Sequence, residues 1–225
     1  MKALKKDVNL SVIILSILQT MGLYSKHILP HLINKACGQS TFTLQRNKIV
    51  PLAHGNILEI GAGTGLNIPI YDGTKVTKLT ATEPSIDTWK KCKIDVEKLP
   101  FDFEFISASA EALPFEDNSF DTVVVTYALC TIPNVEKALM EMKRVLKHQG
   151  ILLFTEHGIA PQKRVRFIQN SLNPIWKQVS GGCNLNRNIP QLIEDNGFKM
   201  VQLEQMYISG WKPGSYNYWG IASKI

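Results

Sequence analysis

The run Glu59-Ile60-Gly61-Ala62-Gly63-Thr64-Gly65 is the stretch of this sequence best suited to hold a ligand. Glycines at alternate positions let a backbone turn tightly and approach a bound molecule closely. The dinucleotide fingerprint is G-x-G-x-x-G, with a phosphate resting on a helix N-terminus. Here the third glycine comes one residue early, and Leu66 follows it. No Lys or Arg stands between Ile57 and Thr74, and a carboxylate, Glu59, sits two residues before the first glycine. An acid there suits a cationic ligand. The competing reading is a tight strand-to-helix turn that serves packing alone. A second acid, Glu83 in Thr82-Glu83-Pro84-Ser85, follows the glycines at about the 20-residue distance of a ribose-binding carboxylate. A carboxylate at that point can accept both ribose hydroxyl hydrogens. The alternative is an acid near a helix N-terminus, favoured by the dipole.

These residues need a scaffold that brings strand ends together. Short apolar runs at Asn56–Ile60, Leu79–Thr82, Phe103–Ser107, Phe120–Thr126 and Ile151–Thr155 read as strands. Helical patterns lie between them at Ser85–Lys98 and Asn134–Lys147. The second places Val135, Ala138, Leu139, Met142, Val145 and Leu146 on one stripe. Apolar strands alternating with helices predict a doubly wound parallel sheet. Pro190–Asn196 reads as a short helix closed by Gly197. Strands follow at Lys199–Tyr207 and Ser215–Ala222, joined through Gly210, Pro213 and Gly214. A connection that short joins antiparallel strands only. In an open α/β sheet the ligand lies outside the carboxyl ends of the strands, where Glu83 and the glycine loop both fall.

At 225 residues, 44% hydrophobic and 20% charged, the chain is a globular protein with one sizeable domain, without visible repeats. Four cysteines (Cys37, Cys92, Cys130, Cys183) stand far apart along the chain with no C-x-x-C. That spacing suggests neither a disulfide framework nor a zinc ribbon, and fits a reducing cytoplasm. The net charge of +6 lies wholly in residues 1–48, where Lys2, Lys5, Lys6, Lys26, Lys35, Arg46 and Lys48 face one acid, Asp7. Residues 49–225 are neutral and offer no basic stripe for nucleic acid. The chain therefore divides into a basic helical arm, 1–48, and a domain, 49–225. In the arm, Leu10, Ile13, Ile14, Ile17, Leu18, Met21 and Tyr24 fall at helical spacing. Ile28, Leu29, Leu32, Ile33 and Ala36 form a second short pattern. The first is too short and polar for a spanning helix, and no small-x-small site follows it as in a signal peptide. Two readings stand: a helix over the cleft or core, or a peripheral membrane contact through residues 1–25 on an anionic inner face.

A ligand with a sulfonium, an ammonium and no phosphate is S-adenosylmethionine. Glu59–Gly65, Glu83 and the run Ser109-Ala110-Glu111-Ala112-Leu113-Pro114-Phe115-Glu116-Asp117-Asn118-Ser119-Phe120-Asp121 resemble class I S-adenosylmethionine-dependent methyltransferases. The A-E-x-L-P-F…S-F-D part is similar to the quinone C-methyltransferase branch. Leu146-Lys147-His148-Gln149-Gly150-Ile151-Leu152 resembles the L-K-P-G-G-x-L landmark, with His148 and Gln149 replacing Pro and Gly. Further stretches resemble the animal membrane-associated alkyl-thiol S-methyltransferases and bacterial relatives often labelled as lipid-amine methyltransferases. They are Leu129-Cys130-Thr131-Ile132, Glu156-His157, Pro174-Ile175-Trp176-Lys177 and Gly181-Gly182-Cys183-Asn184-Leu185. The resemblance implies an α/β, Rossmann-like, seven-stranded, mostly parallel sheet with an antiparallel C-terminal strand pair and helices on both faces. It implies that Gly61, Gly63 and Gly65 pack against the methionine part of the cofactor and that Glu59 orients its ammonium. Glu83 would hold the ribose and the Ala110 N–H the adenine ring. Ser109 stands where relatives often carry Asp for the adenine amine. The Thr126 carbonyl would face the transferred methyl.

The resemblance also implies methyl transfer to a small lipophilic acceptor. Its candidates are a thiol first, then a phospholipid amine or a quinone carbon; a cofactor-binding regulatory protein is the non-enzymatic alternative. Thr126-Tyr127-Ala128-Leu129 lacks the N/D-P-P-Y/F expected of nucleic-acid base methylation. Tyr127, Cys130, Glu156 and His157 stand at the ends of the fourth and fifth strands, beside the expected methyl. Tyr127, Glu156 and His157 are the candidate catalytic residues. His157 has the chemistry to deprotonate an acceptor; the alternative is that Glu156 and His157 brace the strand end. Cys130 reads as a small buried filler. Trp176 reads equally as acceptor-pocket wall or core, and Lys177 as solvated surface. Cys183 follows a glycine pair with no cysteine near it in the chain, so no metal role is assigned. Trp211, Tyr216, Tyr218 and Trp219 read as sheet aromatics.

Overall fold

The computed structural model describes residues 38–225; both expected helices of the arm lie outside them. One seven-stranded sheet organises the chain: β1 (Gly55–Ile60), β2 (Val76–Thr82), β3 (Asp102–Ile106), β4 (Phe120–Thr126), β5 (Leu146–His157), β6 (Phe198–Tyr207) and β7 (Tyr216–Lys224). Their spatial order is β3-β2-β1-β4-β5-β7-β6. The first five run parallel, while β7 is antiparallel to both β5 and β6. This is the expected Rossmann-like architecture.

Side-chain alternation along the central strands explains the two-sided core. Leu58, Ile60, Val123, Val125, Leu152 and Phe154 enter one apolar cluster, and Ile57, Val124 and Leu153 enter another. The helices α1 (Ser40–Ile49), α2 (Ile86–Trp89), α3 (Val135–Val145), α4 (Lys163–Val179) and α5 (Ile189–Asp195) flank the sheet. From α3, Val135, Ala138, Leu139, Met142 and Val145 are all buried, as their spacing predicts. They join the first cluster with Val165 of α4 and with Ile189 and Ile193 of α5. Ile49 of α1 seals the second. α1 thus crosses the expected boundary at residue 48 and packs on the sheet.

Two elements differ from expectation. The helix expected at Ser85–Lys98 shrinks to α2 and a 3₁₀ turn at Val96–Lys98. Trp89 stacks on Phe105 with ring centroids 4.3 Å apart, and Cys92, Ile94 and Leu99 also pack on the core. Ile94 would leave that face in a continued helix, and the unwound chain keeps it packed, partly buried, against the core. α4 had no counterpart in the sequence reading. Only Val165 and Gln169 are buried along it, while Phe167, Ile168, Ile175 and Val179 are exposed. Val165, Ile168, Leu172, Ile175 and Val179 fall at helical spacing, but all except Val165 are exposed, and Pro174 reads as a break. Its anchor is polar. Gln169 Nε2 lies within 2.9 Å of the carbonyls of Gly158, Leu185 and Pro213, and its Oε1 accepts the Ala160 N–H at 2.9 Å. Among the described residues no helix is long and apolar enough to cross a membrane.

Candidate active site

A cleft of about 450 Å³ opens at the carboxyl ends of β1, β2 and β4. β1 delivers Glu59 and the glycine loop. Gly61, Gly63 and Gly65 have φ of 66°, 59° and 80°, the left-handed region that suits glycine. Gly61 and Gly63 line the cleft; Gly65 does not. A Cβ on Gly65 would stand 2.7 Å from Cys92 Sγ and 3.0 Å from Ile68 Cδ1. That glycine therefore packs the loop onto the domain instead of facing the ligand. The loop also leads into turns and a 3₁₀ segment, Ile68–Ile70, where a dinucleotide fingerprint would open a helix. A Cβ on Gly61 would come within 2.8 Å of Ala128 Cβ. Gly61→Ala should lower the melting temperature and weaken cofactor binding at least about tenfold, since left-handed strain of roughly 1 kcal/mol adds to that clash. Calorimetric titration and a melting curve measure both.

Glu59 is 2% exposed. Asn67 Nδ2 donates to its Oε1 and the Tyr71 hydroxyl to its Oε2, both at 2.9 Å. Burial pushes its carboxyl up to about 7, against the pull of these bonds and of the Arg46 charge. Asn67 Nδ2 also donates to Thr126 Oγ1 at 3.0 Å, which ties β4 to the loop. Asn67 Oδ1 is buried with no hydrogen-bond partner among the described residues. An orphaned acceptor beside a buried carboxylate fits a cationic group. Glu83, at the end of β2, lies across the loop. Its Oε2 accepts the Gly63 N–H at 3.2 Å and its Oε1 the Ser85 N–H at 3.1 Å. Burial raises its pKa, and these two N–H groups oppose the rise. Ser109 and Ala110 also line the cleft. Ser109 Oγ accepts the Glu111 N–H at 3.2 Å, which turns the backbone at Ala110. The following segment is held by Arg144, which donates to the carbonyls of Leu113 and Phe115 and pairs with Asp117 and Glu141.

The candidate catalytic residues separate. Thr126 and Tyr127 line the cleft; Glu156 and His157 do not. Tyr127 has φ 53°, a strained value for a bulky residue. Its hydroxyl donates to Asn217 at 2.8 Å, and its ring packs edge-on against Phe42 at 4.9 Å. Glu156 is fully buried, and its Oε1 accepts the N–H groups of Ala128 at 2.5 Å and Leu129 at 2.7 Å. Burial pushes its pKa up to about 7 against His157 and those N–H bonds. This geometry is that of a brace for the chain leaving β4. His157 Nε2 lies 3.1 Å from Cys183 Sγ. Burial works against charge on His157, but Cys183 outweighs it and raises the pKa. Cys183, far from other cysteines along the chain, faces Cys130 in space; a hydrogen bond from Cys130 and the His157 charge hold its thiol well below the ordinary value. Trp176 is outside the cleft and packs on Trp211, ring centroids 5.4 Å apart. Trp211 therefore belongs to the β6–β7 connection and not to the sheet aromatics. Lys177 is exposed, as expected.

The sequence reading missed Asn67, Tyr71 and Arg46. Asn67 and Tyr71 fall 8 and 12 residues after Glu59, across the glycine loop and turns, where no helix or strand period relates them. Arg46 belongs by charge to the basic arm, yet it is 4% exposed, lines the cleft, and stands 5.0 Å from the Tyr127 ring centroid.

The methyltransferase domain family model matches residues 58–154. The thiol S-methyltransferase TMT1B of Rattus norvegicus is 32% identical over 171 residues, covering 75% of this chain and 68% of that protein. The chain belongs to the class I S-adenosylmethionine-dependent methyltransferases. The phosphatidylethanolamine N-methyltransferase of Cereibacter sphaeroides is 30% identical over 105 residues, or 46% of this methyltransferase and 51% of that protein. A solved S-adenosylmethionine-dependent methyltransferase of Methanosarcina mazei shares the fold at a TM-score of 0.59 and 20% identity, covering 76% of this chain and 92% of that one. The enzyme is thus a methyltransferase whose methyl donor is S-adenosylmethionine.

Proposed function

We propose that this methyltransferase moves the methyl group to a small lipophilic thiol. The observation that carries the reading is the make-up of the cleft beyond Thr126. Among the described residues Tyr127, Thr131, Ile132, Pro133 and Gly181 form that wall, and none of them is a carboxylate. An amine acceptor arrives as an ammonium and would find no acid to hold or deprotonate it there. A thiol needs only to reach its thiolate, the nucleophilic form. The longer match to thiol S-methyltransferases supports the same choice.

S-adenosylmethionine brings its own electrophilic methyl and leaving group, so the protein supplies alignment and a dry site. Glu59 and Asn67 Oδ1 suit the ammonium of its methionine tail. Arg46, across the cleft, suits the carboxylate of the same tail. Glu83 would accept the ribose hydroxyls, the Ala110 N–H would meet the adenine, and Ser109 would offer a hydroxyl beside it. Tyr127 shapes the acceptor end, while Glu156 and His157 act behind that wall. The test is an acceptor panel of an alkyl thiol, a phospholipid amine and a reduced quinone. Methylation of the thiol with the highest kcat/KM is expected; preferential methylation of the amine or the quinone would overturn the reading.

A pH dependence follows. The Glu59 carboxyl stays protonated up to about pH 7 in the free protein. A bound ammonium favours the ionised form, so binding below pH 7 expels a proton. Affinity should therefore rise by up to about tenfold per pH unit toward 7, then level. In the free protein the sign is opposite. The fold favours the neutral acid between its ordinary 4.5 and 7, so the stabilisation it contributes is lost as pH rises through that window. Calorimetry across pH checks the affinity, and Glu59→Gln should flatten it. A flat wild-type profile would remove Glu59 from the ammonium.

A further inference from the structure

Behind the acceptor wall, three distant parts of the chain converge. Cys130 follows β4, His157 ends β5, and Cys183 lies in the loop after α4. Their two sulfurs and one imidazole nitrogen all lie within 4.8 Å of one another. Cys130 is 3% exposed and His157 9%. The loop that carries Cys183 is fixed to the segment that carries Cys130. The Asn184 N–H and its Nδ2 both donate to the Cys130 carbonyl at 2.9 Å, and Nδ2 also reaches the Gly182 carbonyl at 2.9 Å. Gly182, at φ 96°, lies against the Thr131 carbonyl. The donors are thus preorganised by backbone contacts that do not involve the donors' own side chains.

We propose that Cys130, His157 and Cys183 form a zinc site. Two thiolates and an imidazole are the donor set that soft-to-borderline divalent cations select, and three protein ligands leave a fourth position open. Binding releases two protons from the cluster to solvent, so the cation and two thiolates with a neutral imidazole sum to zero charge in a buried place. A neutral cluster avoids the cost of an unpaired buried thiolate. The cation would tie the ends of β4 and β5 to the 181–185 loop. Thr131, next to Cys130, and Gly181, two residues before Cys183, line the cleft, so the site would fix the acceptor wall. The proposal holds whichever acceptor the enzyme uses.

The experiment uses the full chain without an affinity tag, reduced and stripped by a chelator, then titrated with Co²⁺. One equivalent should bind with sulfur-to-cobalt charge-transfer absorption and tetrahedral d–d bands, and Zn²⁺ should displace it. Cys130→Ser or Cys183→Ser should halve the charge-transfer intensity and weaken affinity at least about 100-fold. His157→Ala should keep both sulfur bands at weaker affinity, and Cys92→Ser should change nothing. A readout that needs no variant is alkylation mapping of the wild-type chain. Zn²⁺ should protect Cys130 and Cys183 and leave Cys92 as reactive as before. Absence of sulfur bands in the reduced protein, equal alkylation with and without Zn²⁺, or a Cys130–Cys183 disulfide that forms with no metal uptake would each overturn the proposal.

Discussion

Glu83→Ala should weaken S-adenosylmethionine binding by about 100-fold or more. A hydrogen bond to a charged acceptor is worth roughly 1.5–3 kcal/mol. The carboxylate has two oxygens for two ribose hydroxyls, and each tenfold in affinity is about 1.4 kcal/mol. The same carboxylate holds the glycine loop through the Gly63 N–H and the helix start through the Ser85 N–H. Its removal therefore also loosens the loop that must close on the cofactor. Glu83→Gln keeps a carbonyl acceptor and should lose only about tenfold. Calorimetric titration of the cofactor separates the two. An alanine variant within threefold of wild type would remove Glu83 from the ribose.

Glu156→Ala should destabilise the fold by about 2–4 kcal/mol, which for a chain of this size lowers the melting temperature by roughly 10 °C. Glu156 is the acceptor for two successive backbone N–H groups, Ala128 and Leu129, at the point where the chain leaves β4. Leu129 is fully buried, so its N–H has no ready substitute, and an unmet buried donor costs roughly 1–3 kcal/mol. Glu156→Gln retains a carbonyl oxygen for both donors and should melt within a few degrees of wild type. A residue that carried a proton in the reaction would behave differently: the glutamine variant would be as inactive as the alanine one. Differential scanning calorimetry with a methyl-transfer assay on both variants distinguishes the roles. An alanine variant as stable as the wild type would contradict the brace.

The architecture was legible because strand and helix signals agreed. Val123–Val125 and Leu152–Phe154 are apolar on both faces, and α3 repeats its buried residues at helical spacing. The glycine loop and Glu83 were legible for the same reason: each sits at a strand end, where chain distance and spatial distance coincide. What escaped was long-range and polar. Arg46 enters the cleft because α1 folds back over the sheet. Nothing in the local pattern of a basic segment marks it. α4 repeats apolar residues at helical spacing, but Pro174 interrupts the pattern, and what anchors the helix is the amide of Gln169. Cys130 and Cys183 are 53 residues apart and meet only because the loop after α4 returns to the end of β4. Glu156 and His157 were placed correctly at a strand end, but the turn at Tyr127 puts them behind the wall and not on it.

The most direct measurement follows a deuterated methyl group from S-adenosylmethionine into product, with an alkyl thiol and phosphatidylethanolamine vesicles present in one reaction. Mass spectrometry then reads which acceptor carries the label. The predicted result is a labelled alkyl methyl sulfide, formed one for one with demethylated cofactor and lost in Glu83→Ala at limiting cofactor. Label on the phospholipid amine with none on sulfur would contradict the assignment of a thiol to this cleft.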